Sequence, residues 1–137
     1  MSSENVEAMV IKWLNDTLAD YHASSNTPKT LPKRFILVDR TGGQREAMLG
    51  DAAEILIEVY DKNSCADCSA IANWIADHIH KLAEVYDNIT IAKVNSVISL
   101  DDTAKQYHRY QIYVDVFHSR VDAYSDTPPT PTPIPSA

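Results

Sequence analysis

Glycine is scarce, at three in 137 residues. No glycine-rich, phosphate-cradling loop can be assembled from so few, and Gly42-Gly43 reads instead as a turn element. Cysteine is scarcer still, with only Cys65 and Cys68. Two thiols this close together suit a reducing compartment and do not make a disulfide scaffold. Basic residues are outnumbered, 12 Lys and Arg against 19 Asp and Glu, for a net charge of −7. That balance argues against a dedicated nucleic-acid or anionic-membrane binder, which carries a basic face. It is compatible with a protein lining a channel through which DNA must slide without sticking. No apolar run approaches the length needed to span a bilayer. The first ten residues, MSSENVEAMV, lack the basic and apolar segments of a signal peptide. A cytoplasmic protein with no membrane partner is the expectation.

What is present is enough apolar sequence for one domain with a real core. Val6, Met9, Val10, Trp13, Leu14, Thr17, Leu18 and Tyr21 fall on one stripe of a helix over residues 3–21, with Ser2 or Ser3 as its N-cap. The stripe reads as core packing or as a subunit interface. Residues 22–32, HASSNTPKTLP, read as a polar linker that Pro28 and Pro32 keep out of the helix.

Residues 34–86 organise the chain. A strand over 33–41 alternates Phe35 and Leu37 with Ile36 and Val38. Residues 42–51 form a hairpin connection, and a second strand ends near Tyr60. That strand sets Ala53, Ile55, Ile57 and Val59 against Glu54, Leu56, Glu58 and Tyr60. Met48 and Leu49 near the tip either pack back on the sheet or belong to a partner contact. Ser64 and Asp67 fit a capping box opening a helix over 64–86, whose stripe is Cys68, Ile71, Ala72, Ile75, Ile79, Leu82, Ala83 and Tyr86. Strands follow over 89–99 and 107–120. In the second, Ile112, Val114 and Val116 oppose Tyr113, Asp115 and Phe117. The predicted fold is α+β in the order α-β-β-α-β-β, a mainly antiparallel four-stranded sheet with two helices packed on it. This single domain covers residues 1–120. Residues 121–137 form a flexible tail with five prolines among the last thirteen, either a docking peptide or an unstructured terminus.

Chemistry has few candidates. Cys65-Ala66-Asp67-Cys68 lies at a helix start, where the dipole lowers a thiol pKa, so a dithiol oxidoreductase is one reading. The βαβ unit expected around such a motif is absent from the pattern. As half a zinc site the motif lacks a second pair of ligands. His78 and His80 point in different directions, and His108 and His118 sit far apart along one strand. Asp101-Asp102 reads as a solvated turn. No catalytic residue, metal ligand or cofactor site is predicted, and the chain does not read as an enzyme.

The order of these pieces resembles the tail terminator proteins of long-tailed, siphovirus-type bacteriophages, especially those of actinobacterial phages and prophages. The likeness covers roughly residues 5–120. It is carried by the N-terminal amphipathic helix, the approach through Thr27-Pro28 and Leu31-Pro32, and a strand ending in Arg40-Thr41-Gly42-Gly43. The strand AEILIEVY over 53–60, the alanine-rich helix and the closing strand RYQIYVDV over 109–116 complete it. The Arg-Thr-Gly-Gly turn is its most specific piece. The segment SLDDTAKQYHRY over 99–110 departs from the pattern by lacking a Gly- and Pro-rich stretch, and the proline-rich tail is an addition. The resemblance implies a structural virion protein, made in the host cytoplasm. It would cap the tail tube as a hexameric ring, end tail polymerisation and offer a surface to the head-tail connector or stopper. DNA would pass through the ring without specific binding. Exposure places Arg40, Thr41, Gln44, Arg45, Met48 and Leu49 at the subunit or tube interface. Another neck, connector or tail-completion protein of the same virion is the near alternative.

Overall fold

A computed structural model describes residues 5–46, 50–119 and 131–134. Its elements are α1 (Val6–Thr17), β1 (His22–Ser24), β2 (Arg34–Glu46), β3 (Gly50–Asp61), α2 (Cys65–His78), α3 (Leu82–Val85), β4 (Ile89–Ser99) and β5 (His108–His118), with a 3-10 turn at Ile79–Lys81 joining α2 to α3. The α+β class holds. The four-stranded antiparallel expectation does not, because the sheet has five strands in the order β1-β2-β3-β5-β4 and is mixed. The added strand is β1, which runs parallel to β2 and pairs His22 with Phe35, Ala23 with Ile36 and Ser24 with Leu37. It lies in the segment expected to be a linker. Asn15 on α1 explains why it forms: its side chain donates to the Ala23 carbonyl at 3.0 Å and accepts from the Ala23 amide at 2.8 Å. Both backbone groups of the buried Ala23 are thereby satisfied.

α1 starts at Val6, the first residue of its apolar stripe, and not at residue 3. Asn5 is the N-cap, its side-chain oxygen accepting from the Ala8 amide at 2.7 Å. Ser2 and Ser3 lie outside the described residues. The helix ends at Thr17, so Tyr21 joins the core from the segment beyond it. The expected helix over 64–86 bends through the 3-10 turn into α3, yet its stripe is retained. Cys68, Ala72, Ile75, Ile79 and Leu82 are buried.

All three helices cover one face of the sheet. Ile36 and Val38 of β2, Ala53, Ile55, Ile57 and Val59 of β3, and Ile112, Val114 and Val116 of β5 form the buried floor with Val10, Leu14, Ile75 and Leu82 above it. Trp13 and Trp74 stack at 5.8 Å between centroids where α1 meets α2. The opposite face has no helix on it among the described residues. One end of it is closed by Phe35, Tyr60 and Tyr107, with Phe35 stacked on Tyr60 at 4.5 Å. The Tyr107 hydroxyl donates to the Pro32 carbonyl at 2.6 Å and fixes that corner.

Much of the expected connection over 42–51 is paired strand. β2 and β3 stay paired from Arg34↔Asp61 to Glu46↔Gly50, and β3 pairs with β5 as far as Asp51↔His118. The segment read as a connection is mostly ladder. A register shift between Arg40 and Gly42 leaves Thr41 as the extra residue of a bulge. Two residues further on, Gly43 has φ +154°, and a methyl group there would run into the Ala52 carbonyl oxygen. Gly43 is therefore required by close approach of β3 and by its own backbone angle. The neighbouring Gly42 has open space around it.

Candidate functional site

β1 covers only Phe35 to Leu37 of the outer side of β2. From Val38 to Glu46 the outer side of β2 has no strand beside it among the described residues. This is where the sequence-predicted surface falls. Arg40 and Thr41 are exposed at the bulge. The Arg40 Nε donates to the Gly42 carbonyl at 3.3 Å, and the Thr41 hydroxyl donates to the Glu54 carboxylate at 2.7 Å. Gln44 and Arg45 continue the same ladder opposite Ala52 and Asp51. Met48 and Leu49 lie outside the described residues. The fold thus places four of the six residues along one strand edge, and places them there because the bulge shifts the strand without ending it.

The register defines the helix-free face row by row. Leu37, Glu58, Gln111 and Ile98 form one row, Asp39, Leu56, Tyr113 and Ser96 the next, and Glu54, Asp115 and Lys93 a third. Asp39, Glu54, Glu58 and Asp115 on this face stand against Lys93, Arg109 and, at its closed end, Lys62 over the Tyr107 ring. Glu58 is held by Arg109 at 3.7 Å and by Gln111 at 3.1 Å. The pattern came from strand alternation in the sequence; the cross-strand rows could not, because they need the register.

A cluster that sequence reasoning missed centres on Asp61, the buried carboxylate at the end of β3. One carboxylate oxygen accepts from the Asn63 amide at 2.8 Å and the Ser64 amide at 3.0 Å. The other accepts from the Tyr21 hydroxyl at 2.5 Å and from Arg34 Nε at 3.0 Å. Burial pushes the Asp61 carboxyl up, but these hydrogen bonds and the Arg34 charge together outweigh it and hold it below the ordinary carboxylate value. Burial, with Asp61 beside it, raises the Tyr21 phenol. Arg34 also reaches Asp67 at 2.7 Å. The expected capping box at Ser64 is consequently half formed. Ser64 Oγ accepts from the Asp67 amide at 3.1 Å, while Asp67 turns to Arg34 and the Ser64 amide is taken by Asp61. The available signal was an Asp three residues before the cap, placed to accept from the amides two and three positions on, as in an Asx-type turn. With both Asp61 oxygens engaged, the cluster ties the segment after α1 to β2, β3 and α2.

The two thiols differ. Cys65 is exposed and Cys68 is buried. The Cys68 thiol donates to the Val59 carbonyl at 3.3 Å, and burial pushes its pKa up to about 12. A thiol in that state is protonated at neutral pH and is no thiolate nucleophile. The histidines stay apart: His78 stacks on Trp74 at 4.4 Å, His80 is exposed, and His108 and His118 occupy opposite ends of β5. Among the described residues no three His, Cys, Asp or Glu side chains are grouped to hold a metal ion. No helix among them is long and apolar enough to cross a membrane.

No family model matches the chain, and no curated protein matches it.

Proposed function

We propose that this chain is a structural phage assembly protein of the tail terminator type. In this reading six copies close into a ring on the finished tail tube, stop its polymerisation and present a surface to the head-tail connector or stopper. The observation that carries the proposal is the open outer edge of β2, with Arg40, Thr41, Gln44 and Arg45 along it. Head-to-tail contacts made by one patch on a different patch generate rings when the rotation closes. A strand edge with unshared backbone groups is suited to such a contact. The net charge of −7 fits a ring whose bore repels DNA and lets it pass. The dithiol oxidoreductase alternative has less support, because β3, which leads into the Cys65–Cys68 motif, pairs antiparallel with both its neighbours and the parallel βαβ frame of such a site is missing there. A neck, connector or completion protein of the same virion is the second reading; the same open edge supports it, since either role needs ring contacts.

The test is electron microscopy of tails assembled with and without the protein. Over-long tubes in its absence, restored to uniform length on adding it, support termination. Tails of normal length that fail to join heads move the role to the connector. Normal virions in both preparations overturn the assembly reading.

A further inference from the structure

The other edge of the sheet differs from the β2 edge. β4 is the edge strand along its whole length of 11 residues. Edge strands are ordinarily protected by charge, proline, bulges or a covering element. β4 has no proline, one ionised side chain, Lys93, and bulges at Thr90 and Asn95, and among the described residues no further strand lies beside it. Ile91, Val97, Ile98 and the adjoining Leu100 are 46%, 37%, 43% and 50% exposed.

The arrangement of these side chains is self-complementary. Ile91 and Ile98 are seven positions apart and would point to opposite faces of a regular strand. The register shift between Val94 and Ser96 changes this. Ile91 pairs with Phe117 and Ile98 with Gln111, which share the helix-free face. Ala92 and Val97 likewise pair with Val116 and Ile112, which share the helix-covered face. We infer that β4 is a docking edge for β4 of a second copy, in an antiparallel, two-fold pairing centred between Val94 and Asn95. In that register Ile91 meets Ile98 of the second copy, Ala92 meets Val97, and Lys93 meets Ser96. Each opposed pair shares a face, the apolar contacts occur twice, and no like charges are opposed. The two sheets become one of ten strands, five from each copy. β4 and β2 are opposite edges, so the pairing leaves Arg40 and Arg45 free and does not depend on the ring.

Sedimentation of the full chain over a range of concentrations tests the association. A monomer–dimer equilibrium is expected, with Ile98→Lys weakening it by about tenfold because both symmetric contacts are lost. Circular dichroism checks that the variant is folded. Cross-linking tests the register without relying on that variant. In a Cys65→Ser background, proteins carrying Ile91→Cys or Ile98→Cys are prepared separately and oxidised. Disulfide-linked dimers are expected from the mixture and not from either protein alone. A chain that stays monomeric at all concentrations overturns the pairing, as does cross-linking of either protein with itself as efficiently as in the mixture. A larger ring that persists with Ile98→Lys and gives no mixed cross-link overturns it too, while leaving the ring reading intact.

Discussion

Tyr21 and Asp61, 40 positions apart, are joined by a hydroxyl–carboxylate hydrogen bond of 2.5 Å at the point where the segment after α1 meets β2, β3 and α2. Asp61→Ala strands the Tyr21 hydroxyl, the Arg34 guanidinium and two backbone amides in or near the interior. A loss of about 3 kcal/mol is expected in urea unfolding. Asp61→Asn keeps an acceptor for the Asn63 and Ser64 amides and should lose less.

The same carboxylate sets an acid limit on stability. Its folded-state pKa lies below the unfolded value of about 3.9, so the folded state favours the ionised form. The resulting stabilisation is fully present above the unfolded pKa and is lost as pH falls through the folded pKa. Unfolding free energy measured between about pH 5 and pH 2 should therefore fall less steeply in Asp61→Asn than in the parent.

Gly42 and Gly43 are adjacent and should respond oppositely. Gly43→Ala meets the Ala52 carbonyl oxygen in a backbone conformation that L-residues rarely adopt, and about 1–3 kcal/mol is expected to be lost. Gly42→Ala enters open space and should be neutral or stabilising by a few tenths of a kcal/mol, roughly. Thermal unfolding of the two variants side by side is the check.

Thiol titration should count one reactive cysteine in the native protein, Cys65, and two in denaturant. Cys65→Ser should abolish the native signal. Two native thiols reacting at equal rates would contradict the burial of Cys68.

Much of the architecture is legible in the chain because it follows from periodicity. The strand faces of β3 and β5 and the stripes of α1 and α2 each repeat long enough to reveal a period. β1 is illegible for the same reason, since three residues carry no period and its stability comes from Asn15, a polar residue on another element. The bulge at Thr41 is equally hidden, because it is a relation between two strands and not a property of either. Asp61 looks in sequence like an ordinary loop carboxylate; its partners Tyr21 and Arg34 are brought to it only by the fold. Expected exposure at a turn singles out Arg40, Thr41, Gln44 and Arg45 in the sequence, whereas that turn is mostly strand.

The strand order has a consequence for synthesis. β5 is the last strand described, yet it lies inside the sheet between β3 and β4. Until residues 108–118 leave the ribosome, Ile55, Ile57 and Val59 of β3 lack the neighbour that completes their ladder, and β4 has nothing to pair with. A chain cut short before β5 keeps the β1-β2-β3 pairings but cannot attach β4. A copy that ends short of residue 108 therefore leaves one side of β3 unpaired and β4 without its only neighbour in the described sheet.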